Sequence, residues 1–457
     1  MEKDISRRKF IQTGALGLAG LTIVPSTILG KSAGYKAPSD KLNIAGIGVG
    51  GKGFVNLQNM SSENIVALCD VDWEYAKKAF DKFPQAKKFW DYREMYDQIG
   101  KEFDAVVIAT PDHTHALTAA DAITMGKHVY LQKPLTHSVY ESRLLTKLAQ
   151  KYKVATQMGN EGASEAGFRQ AEDVVASGIL GDVYQVDAFT NRPLWPQGLE
   201  RPTRVDAVPS TLRWDLFLGP AEIRTFSKAY HPWNWRGWWD FGTGALGDMA
   251  CHIFHPIYNA LKLGTPTSVQ ATSTRLFPES APSSEMVTFR FPQRGKIGKV
   301  NYPEVMLNWY DGGLKPPRPK GLPADFKWGD GGTVYYGTKD TLIFANRVSL
   351  LSGKEIKVPS VSRVIPTSHE MDWVRACKES ADSRLKPVSD FDVAGPLNEM
   401  VVAGVAAVRL QKIDKELLWD AVNMKFSNIS ENEPEYAFAQ ELMKHTYRNG
   451  YKLPDMP

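Results

Sequence analysis

Residues Lys41–Phe54, "KLNIAGIGVGGKGF", decide how the chain is read. A short apolar strand, Leu42 to Ala45, runs into Gly46-Ile47-Gly48-Val49-Gly50-Gly51 and then into a helix-forming segment. This is G-x-G-x-x-G at a strand-to-helix turn. Gly46 permits the tight turn, Gly48 lets a pyrophosphate approach the backbone, and Gly51 lets helix and strand pack closely, with the diphosphate at the helix N-terminus. The glycine triplet alone is a weak signal. It gains weight from the next apolar run, "NIVALCDVD", which ends at Asp70, 19 residues beyond Gly51, where a ribose-binding acid belongs. Asp70 can accept hydrogen bonds from both ribose hydroxyls and would repel a 2′-phosphate, and no arginine follows it in "DVDWEYAKK". The expected cofactor is therefore NAD rather than NADP.

The alternation of strand and helix continues outward. "FDAVVIATPDHTHA" is a strand, Ala105 to Ala109, that ends in a polar turn; a helix follows, then the strand "HVYLQKP", the helix "SVYESRLLTKLAQKY" and the strand "VATQMGN". Doubly wound sheets bind ligands at the carboxyl ends of their strands. Thr110, Pro111, His113, His115, Lys133 and Asn160 all fall at such ends. His113 and His115 have no third ligand nearby, so capping or cofactor packing is expected of them, and no metal site is expected. Residues 40–160 thus read as a Rossmann NAD-binding domain, and residues 161–457 as a second domain.

Composition bounds the rest. The 457 residues suggest two or three domains at about 100–200 residues each. A net charge of +4, with no cluster of basic residues interleaved with aromatics, disfavours a nucleic-acid partner. Cys69, Cys251 and Cys377 are too far apart in sequence to form a disulfide framework or a zinc knuckle and read as buried small hydrophobes. Residues 1–33 read as a signal peptide and linker: "SRRKF" carries Arg7-Arg8 ahead of a Gly/Ala-rich apolar run, resembling a twin-arginine signal, which exports folded proteins. That run is too short to cross a bilayer of about 30 Å, and nothing else in the chain reads as a membrane helix, so no permanent anchor is expected. The expected location is periplasmic, or otherwise exported by a twin-arginine route.

"AGIGVGG", "CDVD", "ATPDHTHA", "GKHVYLQKP" and "GNEG" occur in the order and spacing of the Gfo/Idh/MocA oxidoreductases, and the resemblance extends from Lys41 to the C-terminus. It implies an N-terminal Rossmann domain and a C-terminal α/β domain whose open, largely antiparallel sheet faces the nicotinamide and often builds an oligomer interface, so a homo-oligomer, dimer or tetramer, is expected. The family's E-K-P signature puts its lysine near the substrate hydroxyl and the nicotinamide. Here it is Gln132-Lys133-Pro134, so lysine and proline carry over to a catalytic Lys133, while Gln132, grouped with the cofactor-binding residues, keeps the size of glutamate and loses its charge. The second signature is Asp248-x-x-x-His252 in "FGTGALGDMACHIFHPIYNAL". At i, i+4 both side chains share one helix face, so the carboxylate can orient an imidazole that addresses a substrate hydroxyl. His255, one turn onward and followed by Pro256, reads as structural.

Between the signatures lies "YHPWNWRGWWDFGTGALGD". Tryptophans beside arginine and acid suit a sugar, which has an apolar face and a polar rim. Trp235, Trp238 and Arg236 are candidate substrate contacts, with core or interface packing as the alternative for the rings. Trp309, in "MLNWYDGGLKPPRPKG", joins them, in a Gly/Pro-rich segment too irregular for a strand. The closing segment reads as an amphipathic helix and a short extended piece.

The expected activity is hydride transfer between NAD and a sugar, glycoside or polyol hydroxyl carbon by an exported enzyme. Two alternatives stay open. One is an NAD-dependent glycoside hydrolase that oxidises its substrate transiently. The other is a non-catalytic carbohydrate-binding protein. Because a free nicotinamide pool is not expected outside the cytoplasm, the cofactor is expected to be tightly bound.

Overall fold

The computed structural model describes residues 40–345, 348–448 and 450–457; residues 1–39, with the twin-arginine pattern, lie outside the described residues. The first sheet contains β1 (Asn43–Ile47), β2 (Asn64–Cys69), β3 (Lys87–Phe89), β4 (Ala105–Ile108), β5 (His128–Leu131) and β6 (Thr156–Met158). All pairings are parallel, in the order β3-β2-β1-β4-β5-β6. The helices between them are α1 (Gly51–Asn59), α2 (Lys77–Lys82), α3 (Tyr92–Ile99), α4 (Asp112–Thr124) and α5 (Val139–Tyr152). Strands covered on both faces become continuous apolar runs, and β4, "AVVI", is buried at every position. The strand order reverses between β1 and β4, so a ligand crevice opens at their carboxyl ends. This is the Rossmann domain expected from the glycine-rich turn.

The second sheet has nine strands in the order β15-β14-β13-β7-β12-β9-β8-β16-β17. They are β7 (Val183–Thr190), β8 (Ser268–Ser273), β9 (Glu285–Phe291), β12 (Val305–Tyr310), β13 (Gly331–Gly337), β14 (Thr341–Phe344), β15 (Val348–Leu350), β16 (Leu417–Asp420) and β17 (Lys425–Phe426); β10 (Gly295–Ile297) and β11 (Val300–Tyr302) form a separate hairpin. Only β7 and β12 run parallel, so the sheet is largely antiparallel as expected.

The accompanying helices are α6 (Ala166–Ala176), α7 (Trp214–Leu218), α8 (Gly244–Leu261), α9 (His369–Cys377), α10 (Phe391–Leu410) and α11 (Tyr436–Met443). The segment around Trp309 is a central strand, not an irregular loop; the glycines and prolines that obscure it begin only after Tyr310. Helix α10 also departs from expectation. It is long and apolar enough to cross a membrane, yet 16 of its 20 residues are buried, between α5, α8 and β8. It is a core helix, hydrophobic nearly all round because protein covers nearly all of it.

The chain does not keep its halves separate. Helix α9, far along the sequence, packs Trp373 and Val374 into the apolar layer formed by Leu42, Ile44 and Tyr130. The Trp373 indole donates to the Ala155 carbonyl at 3.2 Å, and Lys378 pairs with Glu63 at 2.6 Å.

Candidate active site

Two clefts meet at the carboxyl edge of the first sheet. The first is lined by Gly48, Gly51, Asp70, Thr110, Pro111 and Trp235 among others. Gly48 adopts φ +72°, and a Cβ there would lie 2.7 Å from the backbone of Ala109 and Thr110. Only glycine fits that close approach of the β1–α1 turn to the end of β4. Asp70 accepts from the backbone N–H of Gly50 at 3.0 Å and of Asp72 at 2.9 Å. Burial pushes its carboxyl up to about 6, against those hydrogen bonds. A bare glycine turn with an acid at the end of the neighbouring strand fits a dinucleotide. Tyr75 also lines this cleft: its ring lies so close over the turn that a Cβ on Gly50 would come within 2.2 Å of it.

A strap from the second half closes over the first cleft. Arg213 N–H donates to the Val71 carbonyl at 2.8 Å, and Trp73 N–H donates to the Thr211 carbonyl at 3.0 Å. His231 Nε2 meets Asp72 Oδ2 at 2.7 Å. Leu216, Phe217, Pro220 and Pro232 of this strap line the cleft.

Four residues grouped with the cofactor stand behind the cleft rather than in it. His113 donates Nε2–H to the Phe217 carbonyl at 3.0 Å, fixing the strap, and burial pushes its imidazole down to about 4. The ring nitrogens of His115 face the carbonyls of Thr110 (2.8 Å) and Pro134 (2.9 Å); burial pushes the imidazole down to about 4, so its single N–H donates to one of them, placing the ring between the end of β4 and the loop after β5. Asn160 donates to the Cys251 carbonyl at 3.0 Å and to His255 Nδ1 at 3.1 Å, so it braces α8. Gln132 donates Nε2–H to Asn56 Oδ1 at 2.8 Å, and Asn56 in turn donates to Glu370 at 3.0 Å and Glu161 at 3.3 Å. A glutamate at position 132 would face the Asn56 oxygen as a second acceptor. The neutral amide therefore matches an acidic network drawn from two distant segments.

The second cleft is lined by Lys133, Trp195, Trp233, Arg236, Asp248 and His252 among others. Lys133 Nζ donates to Asp248 Oδ1 at 2.7 Å, and Arg236 Nε lies 3.4 Å from the same oxygen. Burial pushes the Asp248 carboxyl up, but Lys133 and Arg236 outweigh it and hold the group below its ordinary 3.8. His252, one turn along α8, is pushed down to about 3 by burial and then by the Lys133 charge, so it is a neutral imidazole at neutral pH. Its ring makes no hydrogen bond to the described residues. An ammonium fixed by a carboxylate beside a free neutral imidazole can hold a hydroxyl oxygen and take its proton.

Arg236 and Trp233 line both clefts. The guanidinium lies 4.0 Å from the Trp233 ring centroid and 4.3 Å from that of Trp235. Two tryptophans assigned to the substrate are core instead. Trp238 is 1% exposed and donates Nε1–H to the Ala229 carbonyl at 2.9 Å. Trp309 is 0% exposed, donates to Asp311 at 2.9 Å and packs edge-on against Phe254. Trp233, 48% exposed, is the ring that faces the opening. Tyr75, Glu161, Arg192 and Trp195 also line the clefts, and no local motif marks them.

Two sequence profiles of one oxidoreductase family match the chain: its NAD-binding Rossmann fold over residues 41–160 and its C-terminal alpha/beta domain over 165–297. Inositol 2-dehydrogenase of Salmonella typhimurium is 29% identical over 150 residues, which is 32% of this chain and 44% of that protein. Glycosyl hydrolase family 109 protein 2 of Akkermansia muciniphila is 31% identical over 179 residues, 36% of each chain. The matches span less than half the length of these relatives. The fold is shared with the WlbA dehydrogenase from Bordetella pertussis, solved with NADH and UDP-GlcNAcA (TM-score 0.56, 17% identity, covering 83% of this chain and 99% of that one). It is shared also with aldose-aldose oxidoreductase from Caulobacter crescentus, complexed with glycerol (TM-score 0.55, 16% identity, 83% and 100%).

Proposed function

The chain belongs to the Gfo/Idh/MocA oxidoreductase family, and on that premise we propose that it oxidises a CH–OH group of a sugar, glycoside or polyol with NAD as hydride acceptor. The observation that carries this reading is the Lys133–Asp248–His252 cluster in a cleft that shares the Arg236–Trp233 wall with the glycine-turn cleft. Gly46, Gly48, Gly51, Asp70, Thr110 and Pro111 would hold the dinucleotide, whose nicotinamide supplies the hydride acceptor when bound. Lys133, fixed by ionised Asp248, holds the substrate oxygen. His252, neutral and unpaired, accepts the hydroxyl proton as the C–H bond is broken. Trp233 offers a flat apolar face to a sugar ring and Arg236 a polar edge.

The family 109 glycosyl hydrolase relatives favour a second reading, in which the oxidation is transient and the net reaction is hydrolysis. Retention of the cofactor suits both, and the strap over the first cleft supports it. The amino-terminal pattern supports loading before export through the twin-arginine route to the periplasm. The exposed Tyr184, Met286 and Leu418 on strands of the second sheet support a homo-oligomer.

The test mixes purified protein with a panel of glycosides and polyols while following absorbance at about 340 nm and free sugar. Lasting NADH supports the dehydrogenase and sugar release without it the hydrolase. A protein that contains no nicotinamide and takes up none on titration refutes both.

A further inference from the structure

A separate cavity lies among the carboxyl end of α10, helix α11, the C-terminal segment and the strap. It shares only Pro220 with the first cleft and no residue with the second. Four arginines line it, and three of them hold carboxylates: Arg201 holds Glu279, Arg224 holds Asp240 and Glu279, and Arg448 holds Asp215 at 3.0 Å.

Arg409, in the last turn of α10, is different. Its guanidinium is half-buried in the cavity wall, 5.2 Å from the Trp239 ring centroid and 5.0 Å from that of Phe438. Both rings lie against the cation, and its remaining surface faces the cavity. Among the described residues no acceptor lies within hydrogen-bonding distance of it. The acid whose charge it feels, Glu441, has its oxygens turned to the Thr446 N–H (2.7 Å) and hydroxyl (2.8 Å). Burial pushes Arg409 down to about 10, so it keeps its charge at neutral pH. In the same walls, Arg448 Nε and Nη1 and a ring nitrogen of His445 are buried without partners.

A cation that has aromatic cover, faces an open cavity and pairs with none of the acids lining it, Glu222, Asp240, Glu279 and Glu441, is free to take an anion from outside. We propose that this cavity is a binding site for a small oxyanion of the phosphate or carboxylate type, held by the edge of the Arg409 guanidinium. The site sits close to the catalytic helix. Trp239 is in its wall, and His137, also in the wall, donates Nε2–H at 3.3 Å to the Gly242 carbonyl, just before α8 begins.

The test is calorimetric titration of the full, cofactor-loaded protein with inorganic phosphate and, separately, with acetate, at ionic strength held constant with chloride. At least one of the two is expected to bind saturably, to lose at least tenfold in affinity in Arg409→Met, and to bind unchanged in Lys133→Ala, which separates this site from the substrate cleft. No saturable binding of either, or equal binding in Arg409→Met, overturns the proposal. A second measurement needs no variant: crystals of the unmodified protein soaked in selenate are expected to give an anomalous peak at the Arg409 guanidinium, and a flat map there at saturating selenate overturns it.

Discussion

Two regions of this molecule bury acids at comparable depth and treat them oppositely. In the second cleft, Asp248 stays ionised, because Lys133 and Arg236 both face it. At the edge of β9 and β12, Glu285 and Asp311 lie side by side with no cation paired to them among the described residues: Asp311 accepts from the Glu285 N–H at 2.8 Å and from the Trp309 indole at 2.9 Å. There burial pushes Asp311 up to about 7, and burial with the Asp311 charge raises Glu285 well above its ordinary 4.5. The sheet neutralises its acids with a proton, and the cleft keeps its acid charged with two bases. A buried charge persists only where its counter-charge is built in, and such a site is a candidate for chemistry.

The comparison is tested most severely at Lys133. Lys133→Ala is expected to lower kcat by about 10³-fold or more, with cofactor affinity changed only a few-fold, as read by steady-state kinetics and NAD titration. Surviving turnover would mean that the charge in the cleft is structural, like the pair in the sheet. Asp248→Asn leaves two cations without their acid and is expected to cost about 10²-fold in kcat.

The same two sites should also pull stability in opposite directions with pH. Asp311 has a raised value, so its contribution is complete below its ordinary 3.8 and is lost as pH rises through about 7. Asp248 has a lowered value, so its contribution is present above 3.8 and is lost as pH falls through its folded value. Asp311→Asn is therefore expected to flatten the fall in unfolding free energy between about pH 4 and pH 7, by roughly 1–3 kcal/mol, and Asp248→Asn to flatten only the fall at lower pH. Identical profiles for the two variants would erase the distinction. The smallest expected effect is that of Gln132→Glu. It adds an acid beside Glu161 and Glu370 and should cost about 1 kcal/mol in urea unfolding, with kcat within tenfold.

The same contrast explains what could be read from the sequence. The Rossmann domain was legible because its determinants are local: a bare turn at Gly46–Gly51 and an acid one strand later. Lys133, Asp248 and His252 were legible as two motifs, but the 2.7 Å contact joining the first two spans 115 residues and follows only from the fold. The tryptophans were misassigned because clustering in sequence does not say which face a ring takes. Trp238 and Trp309 turn into the core while Trp233 turns out. The departure at Gln132 was visible, but its reason was not, since Glu370 lies far along the chain. Helix α10 read as amphipathic because a sequence does not say how many neighbours will enclose a helix.

The strap carries a consequence for how a dinucleotide leaves the cleft. The cleft that opens beside Gly48 and Asp70 is roofed by Phe217, Pro220 and Pro232, anchored through Val71, Asp72 and Trp73. A dinucleotide seated on that floor would leave only when the contacts of the strap to Val71, Asp72 and Trp73 are locally opened. On the proposed function, the lifetime of the cofactor on the chain would then be read as the opening rate of one strap.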